Sequence, residues 1–288
     1  MNNCASWTVI ARVHYREHPV PEFLRAHVAG LWHLRDSDPT AEIQTIYPDG
    51  FCELIVHFGT PPQCHEGGGW HVQARTLFAA QRLGAVRLRR DAPIDCLGVR
   101  LRPEASALLG TEVLRRSRER IVDLAVIDPT LSRALRAAAA AYIAGDTARL
   151  DRLLARRFAA HDLDDAVARA VRRIRESGGQ MRIESVARDA GVGLRSLQTR
   201  FRRAVGLTPK EFSRLMRLQA TLRALDAGDA TLTDVALDHG FADQAHATRE
   251  LRRVTGLAPT RLRAALRTDR DGDAAVRLAA AFVRGRER

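Results

Sequence analysis

The sequence predicts an α+β N-terminal region over residues 1–160 and an all-α region over 161–270 built from a duplicated two-helix unit. Three observations carry that prediction. Apolar residues alternate with period two in short runs between residues 51 and 102, and helical punctuation takes over from residue 103. The stretch FRRAVGLTP (201–209) returns as LRRVTGLAP (251–259), 50 positions later. Positive charge is concentrated: residues 161–270 hold 21 Lys and Arg against 14 Asp and Glu, within a chain of net charge +12. An apolar fraction of 45% over 288 residues suffices for two domains with their own cores.

The N-terminal elements follow in order. A helix is expected around 20–28. In IYPDGFCELIVHFG, the Pro48-Asp49-Gly50 turn precedes a strand with Cys52, Leu54, Val56 and Phe58 on one face, and Phe51, Glu53, Ile55 and His57 on the other. AVRLRR (85–90) and CLGVRLR (96–102) read as further strands of a small sheet, and TPPQCHEGGGW (60–70) as a loop, from its Gly and Pro content. PEASALLG (103–110) has the Pro start and Gly stop of a helix, and the Ala-rich stretches 131–143 and 147–161 read as a helical hairpin packed on the sheet or across a dimer. A domain boundary is expected near residue 161, ahead of a helix at 166–176. Residues 271–288 read as a tail with a short helix at 274–283.

Within the repeat, Val186-Ala187 and Gly191 correspond to Val235-Ala236 and Gly240. Two helices that cross steeply need a small residue at the crossing and a glycine in the tight turn, so each copy has helix-turn-helix grammar. Leu197, Phe201 and Val205 form a buried stripe on the second helix of the first unit, which turns Arg195, Gln198, Thr199, Arg202 and Arg203 outward. In the second unit Ala247, Leu251 and Val254 are expected inside, and Gln244, Ala245, His246, Arg249, Arg252 and Arg253 outside. Arginine and glutamine suit guanine and adenine edges in a major groove, and flanking arginines suit phosphates. The connecting stretch KEFSRLMRLQATLRALDAG spaces its apolar residues by three or four and reads as a linking helix of about 25 Å, long enough to set two reading helices about one DNA turn apart.

Taken in order, SVARDAGVGLRSLQTRFRRAVGLTPKEF, the linking helix and TLTDVALDHGFADQAHATRELRRVTGLAPTRLR resemble the DNA-binding domain of AraC-family transcriptional regulators, over residues 163–267. The resemblance implies base-facing roles for Arg195, Gln198 and Thr199 in the first unit and for Ala245, His246 and Arg249 in the second. The sequence departs from the family at Ala247 and Leu251, where the family carries phenylalanine, so looser packing of the second reading helix is expected. The order YPDGFCELIVHFG, CLGVRLRPEASALLG and a helical hairpin resembles the N-terminal domain of a subset of the same family. By analogy this implies small-molecule sensing or dimerisation.

Trp32, His57, Trp70 and Arg100 are the candidate ligand-pocket residues, as aromatic walls with a few polar groups suit small molecules. Two rivals are weaker. His57, Cys64, His65 and His71 have metal-ligating types without a ligand spacing, and Glu53 with His57 is an acid and base pair on one strand face, the seed of an enzyme reading. No cofactor is called for. The expected partners are double-stranded DNA, with RNA polymerase, a small-molecule effector and a second copy of the chain as further candidates. No membrane segment is read, the expected location is cytoplasmic, and Cys4, Cys52, Cys64 and Cys96 read as reduced thiols.

Overall fold

The structure is a computed structural model. It describes residues 8–10, 13–37, 43–110, 114, 117–159, 162–227 and 231–264. The tail predicted at 271–288 lies outside the described residues.

Eleven strands form two antiparallel sheets among the described residues. They are β1 (Thr8–Ile10), β2 (Val13–His18), β3 (Val28–Asp36), β4 (Ile43–Ile46), β5 (Cys52–His57), β6 (Gln63–Glu66), β7 (Gly69–Val72), β8 (Thr76–Ala79), β9 (Val86–Arg89), β10 (Ile94–Leu101) and β11 (Ile121–Asp123). The larger sheet runs β1-β2-β3-β10-β5-β8-β11 and the smaller β4-β9-β6-β7. The alternation read in β5 explains why there are two sheets and a helical layer. Cys52, Leu54 and Val56 are buried in a core shared with helices, whereas Glu53, Ile55 and His57 point into the space between the sheets.

The helical layer comprises the short α1 (Leu124–Ile127) and a hairpin of α2 (Pro129–Ile143) and α3 (Ala148–Ala159). Asp128 caps α2, its side chain accepting from the Leu131 amide at 2.9 Å. Leu131, Leu135 and Ala139 of α2, with Leu150, Leu154 and Phe158 of α3, share one core with Leu31, Leu54, Phe78 and Val99 of the large sheet. Of the two placements left open by the sequence, the hairpin takes the sheet.

Three expectations are corrected. The helix at 20–28 is a single 3-10 turn, Glu22–Leu24, because Val28 already enters β3, whose partners β2 and β10 lie elsewhere in the chain. The loop at 60–70 is the β6–β7 hairpin: its glycines are the turn itself, with Gly67 at φ 59° and Gly68 at φ 83°, as a two-residue hairpin requires. The helix at 103–110 is a 3-10 segment, Pro103–Leu109, stopped at Gly110.

Further helices are α4 (Asp165–Glu176), α5 (Ile183–Asp189), α6 (Leu194–Val205), α7 (Pro209–Ala227), α8 (Leu232–Asp238) and α9 (Gln244–Thr255), and residues 259–264 are again helical. Val167, Ile174, Val186, Leu197, Phe201 and Leu222 belong to one core that also takes Val235 and Leu251 of the second unit. The linking helix α7 buries residues around most of its circumference, Phe212, Leu215, Met216, Leu218, Leu222 and Leu225 among them. Such a helix has neighbours on every side. They are the two helix-turn-helix units and the N-terminal region, whose Tyr47 and Leu83 reach the same core.

Candidate nucleic-acid interface and ligand cavity

Each two-helix unit is built as its residues dictate. Ala187 of α5 and Ala236 of α8 are buried, and Gly191 and Gly240 make the turns at φ 73° and 70°. Asp164 caps α4 and also receives both branches of the Arg200 guanidinium at 2.6 Å, which ties α6 to the start of the domain. Burial raises the Asp164 carboxyl, but the Arg200 hydrogen bonds and charge together with the Val167 and Ala166 amides hold it below its usual range. In the second unit Thr231 and Asp234 form a reciprocal capping box on α8, and Asp243 caps α9, accepting from the His246 amide at 2.6 Å.

Arg195, Gln198, Thr199, Arg202 and Arg203 are exposed along α6, on the face opposite buried Leu197 and Phe201. On α9, Gln244, Ala245, Arg249, Arg252 and Arg253 are exposed opposite buried Ala247 and Leu251. Gln244 accepts from the Thr233 hydroxyl at 3.1 Å, so its amide hydrogens remain to donate, and Arg253 pairs with Glu250 at 3.3 Å. The expectation of an outward His246 is corrected in part. Its ring stands edge-on to Phe241 at 5.4 Å and is half-buried by that contact. Ala247 and Leu251 are fully buried despite their small size; Ala247 closes a small cluster with Ala236 and Phe241, and Leu251 reaches the main core.

Arg217 and Arg214, which sequence reasoning did not single out, join the two units. Arg217 donates to the Gly179 carbonyl and to the Gly240 carbonyl, both at 3.1 Å, and lies 5.7 Å over Phe241. Arg214 grips both oxygens of Glu250, at 2.8 and 2.9 Å. Burial raises the Glu250 carboxyl, and Arg214 together with Arg253 more than reverses that shift. The only sequence signal for these roles is their place on α7, one helical turn apart.

Between the sheets lies a cavity of about 170 Å³, walled by residues of β3, β5, β8 and β10 on one side and of β4 and β9 on the other. Trp32, His57 and Arg100 all line it. Trp70 does not; it packs on the small sheet under the Arg89 guanidinium at 4.9 Å and beside His65 at 5.2 Å, which corrects its place among the pocket residues. Trp32 lies flat over Gly98, where a Cβ would fall 2.0 Å from the indole. Arg100 is shared by Asp49 at 2.9 Å and Glu53 at 3.0 Å, and Glu53 also accepts from the Trp32 indole at 3.2 Å. Burial pushes the Glu53 carboxyl up, against the lowering effect of Arg100. His57 is buried, and burial holds it down at about 4 against the raising effect of neighbouring Gln73. Asp49 and Glu53 were not among the predicted pocket residues; the turn motif YPDGF was the available signal. Among the described residues no group of three metal-ligating side chains converges, and no helix is long and apolar enough to cross a membrane.

A family profile described as a helix-turn-helix domain matches residues 186–265, the span from α5 to the segment after α9. The chain carries an AraC-family helix-turn-helix domain. Over 80 residues it is 30% identical to the HTH-type transcriptional activator RhaS of Escherichia coli (strain SE11), covering 28% of this chain and 29% of the relative. RhaS of Escherichia fergusonii is 31% identical over the same share. The chain thus matches less than a third of the length of these curated relatives. Among solved structures, the DNA-binding domain of AdpA in complex with a target DNA is 29% identical, covering 38% of this chain and all of that one, with a TM-score of 0.35. ToxT from Vibrio cholerae is 11% identical over 78% of this chain and 95% of its own, with a TM-score of 0.43. The six exposed arginines of α6 and α9 lie within the matched span.

Proposed function

We propose that the protein is a transcriptional regulator that binds double-stranded DNA, reads two adjacent major-groove segments with α6 and α9, and is controlled by a small molecule in the N-terminal cavity. The observation that carries this reading is the duplicated exposed face: Arg195, Gln198 and Thr199 on one repeated helix, Ala245 and Arg249 on the other, with half-buried His246 between them. The flanking pairs Arg202-Arg203 and Arg252-Arg253 supply phosphate contacts and much of the affinity. The nineteen-residue α7, about 28 Å long at 1.5 Å per residue, is a suitable spacer for successive turns of the same groove face.

Selection of bound sequences from a random DNA library by the full chain, with competitor DNA present, tests the reading. Two short elements about one helical turn apart are expected. One element alone would reduce the second unit to a backbone clamp, and enrichment of none would sink sequence-specific regulation.

A further inference from the structure

The cavity between the sheets is large enough for a ligand and small enough to restrict its size. An apolar cavity of about 150 Å³ accommodates a benzene ring, so about 170 Å³ suits one ring with a short substituent. Its walls are largely apolar, with Trp32, Ile55, Leu77, Val86 and Leu88 among them. Glu53 and His57 sit four residues apart on the same face of β5, about 13 Å along the strand, so polar groups stand at two separated points of an apolar chamber. The buried His57 lines the same space, with Gln73 beside it.

The charge balance at the Glu53 end selects the ligand. One guanidinium, Arg100, is shared by two carboxylates, Asp49 and Glu53. A carboxylate ligand would compete with both for the same cation and add a third anion. An ammonium group would instead supply the missing positive charge, beside the Trp32 indole already anchored to Glu53.

The residues at that end face two ways. Pro48, Asp49, Gly50 and Phe51 line the cavity, and the same turn is seated on α7. The Gln219 amide donates to the Pro48 carbonyl, and Gly50 lies so close to Met216 and Phe212 that a Cβ would come within 2.7 Å of the Met216 methyl. The Phe51 ring has Arg100 at 5.0 Å and Arg175 of α4 at 4.6 Å. A group bound at Asp49 therefore touches a turn whose opposite side is the linking helix of the reader.

Building on the small-molecule control proposed above, we propose that the cavity binds a small amine with a single-ring apolar body, its ammonium held by Asp49 and Glu53, and that occupancy is passed to the DNA-reading half through the turn at 48–51. Three probes of one shape test it on the full chain: phenethylamine, 2-phenylethanol and 3-phenylpropionate, followed by tryptophan fluorescence and thermal shift. Phenethylamine binds about tenfold more tightly than either of the others, and Glu53→Gln, or Asp49→Asn should that variant fail to fold, abolishes its advantage over the alcohol while alcohol binding persists. Equal binding of amine and acid, or no binding of any probe to folded protein, overturns the ligand assignment. On DNA recovered with the full chain, phenethylamine changes affinity about fivefold, and Gln219→Leu removes that change without removing amine binding. An undiminished response in Gln219→Leu overturns the route. Failure to enrich any DNA would strike the regulator reading alone, as the amine preference is decided by fluorescence.

Discussion

Arg195 stands exposed near the start of α6, one turn ahead of Thr199, whose hydroxyl donates back to the Arg195 carbonyl at 3.1 Å. Its guanidinium has no ion-pair partner to leave before meeting a base among the described contacts. Arg195→Ala should cost about 1–3 kcal/mol on the preferred site and little on random DNA, measured by titrating both under one salt condition; equal losses would make Arg195 a phosphate contact. His57 gives a second prediction. Its folded value of about 4 lies below the ordinary value of 6.5, so the folded state holds fewer protons than the unfolded chain between those values. Stability is then fully present above pH 6.5 and falls by about 3 kcal/mol as the pH drops toward 4. Urea midpoints for wild type and His57→Gln should diverge in steepness across that window. The placement of such residues was partly legible in the sequence. The outward faces of α6 and α9 follow from a 3.6-residue period, and Trp32, His57 and Arg100 do meet in one cavity. Trp70 does not, since aromatic type alone carries no information about which sheet, or which side of it, a strand occupies.

At the level of elements, both units combine apolar core with polar ties: those of the first run to α4 and its cap, and those of the second run to α7. Arg217 bridges the carbonyls of Gly179 and Gly240, and Arg214 clamps Glu250, so two arginines of α7 fix where α8 and α9 sit. Arg217→Ala should lower stability by about 2 kcal/mol. It should also erase protection of the second DNA element in a footprint while that of the first persists; loss of both elements together would mean that Arg217 supports the whole domain. Thr231→Ala removes one half of the capping box, and about 1 kcal/mol of helix stability with it, visible as faster amide exchange confined to α8. The elements of the C-terminal half were readable because their contacts are local and their caps are written next to them. The strand β3 and the β6–β7 hairpin were not. Val28 to Asp36 pairs with a strand more than fifty residues onward, and a glycine cluster signals a tight turn and an open loop with the same letters.

For the whole molecule, the positive charge resides almost entirely in arginine, with Lys210 the only lysine, so it does not titrate in any accessible range. Binding to DNA should weaken by about a thousandfold between about 50 and 200 mM salt if some six phosphates are neutralised. Arg202→Ala should reduce that slope by about one while weakening all sequences alike. The two halves are joined at more than one place: Arg118 meets Glu211 at 2.7 Å, the Ala85 amide donates to the Val254 carbonyl at 3.1 Å, and the turn at 48–51 rests on α7. None of these contacts was foreseeable, because each pairs residues from separate regions without a shared pattern. Under the control proposed above, the seat of that turn on α7 makes the seam, rather than either half, the unit that carries the response. A chimera cut at residue 161 and fused to a foreign reader would keep Pro48 and Gly50 but lose Phe212, Met216 and Gln219, and it would bind its ligand and its DNA as two strangers on one chain.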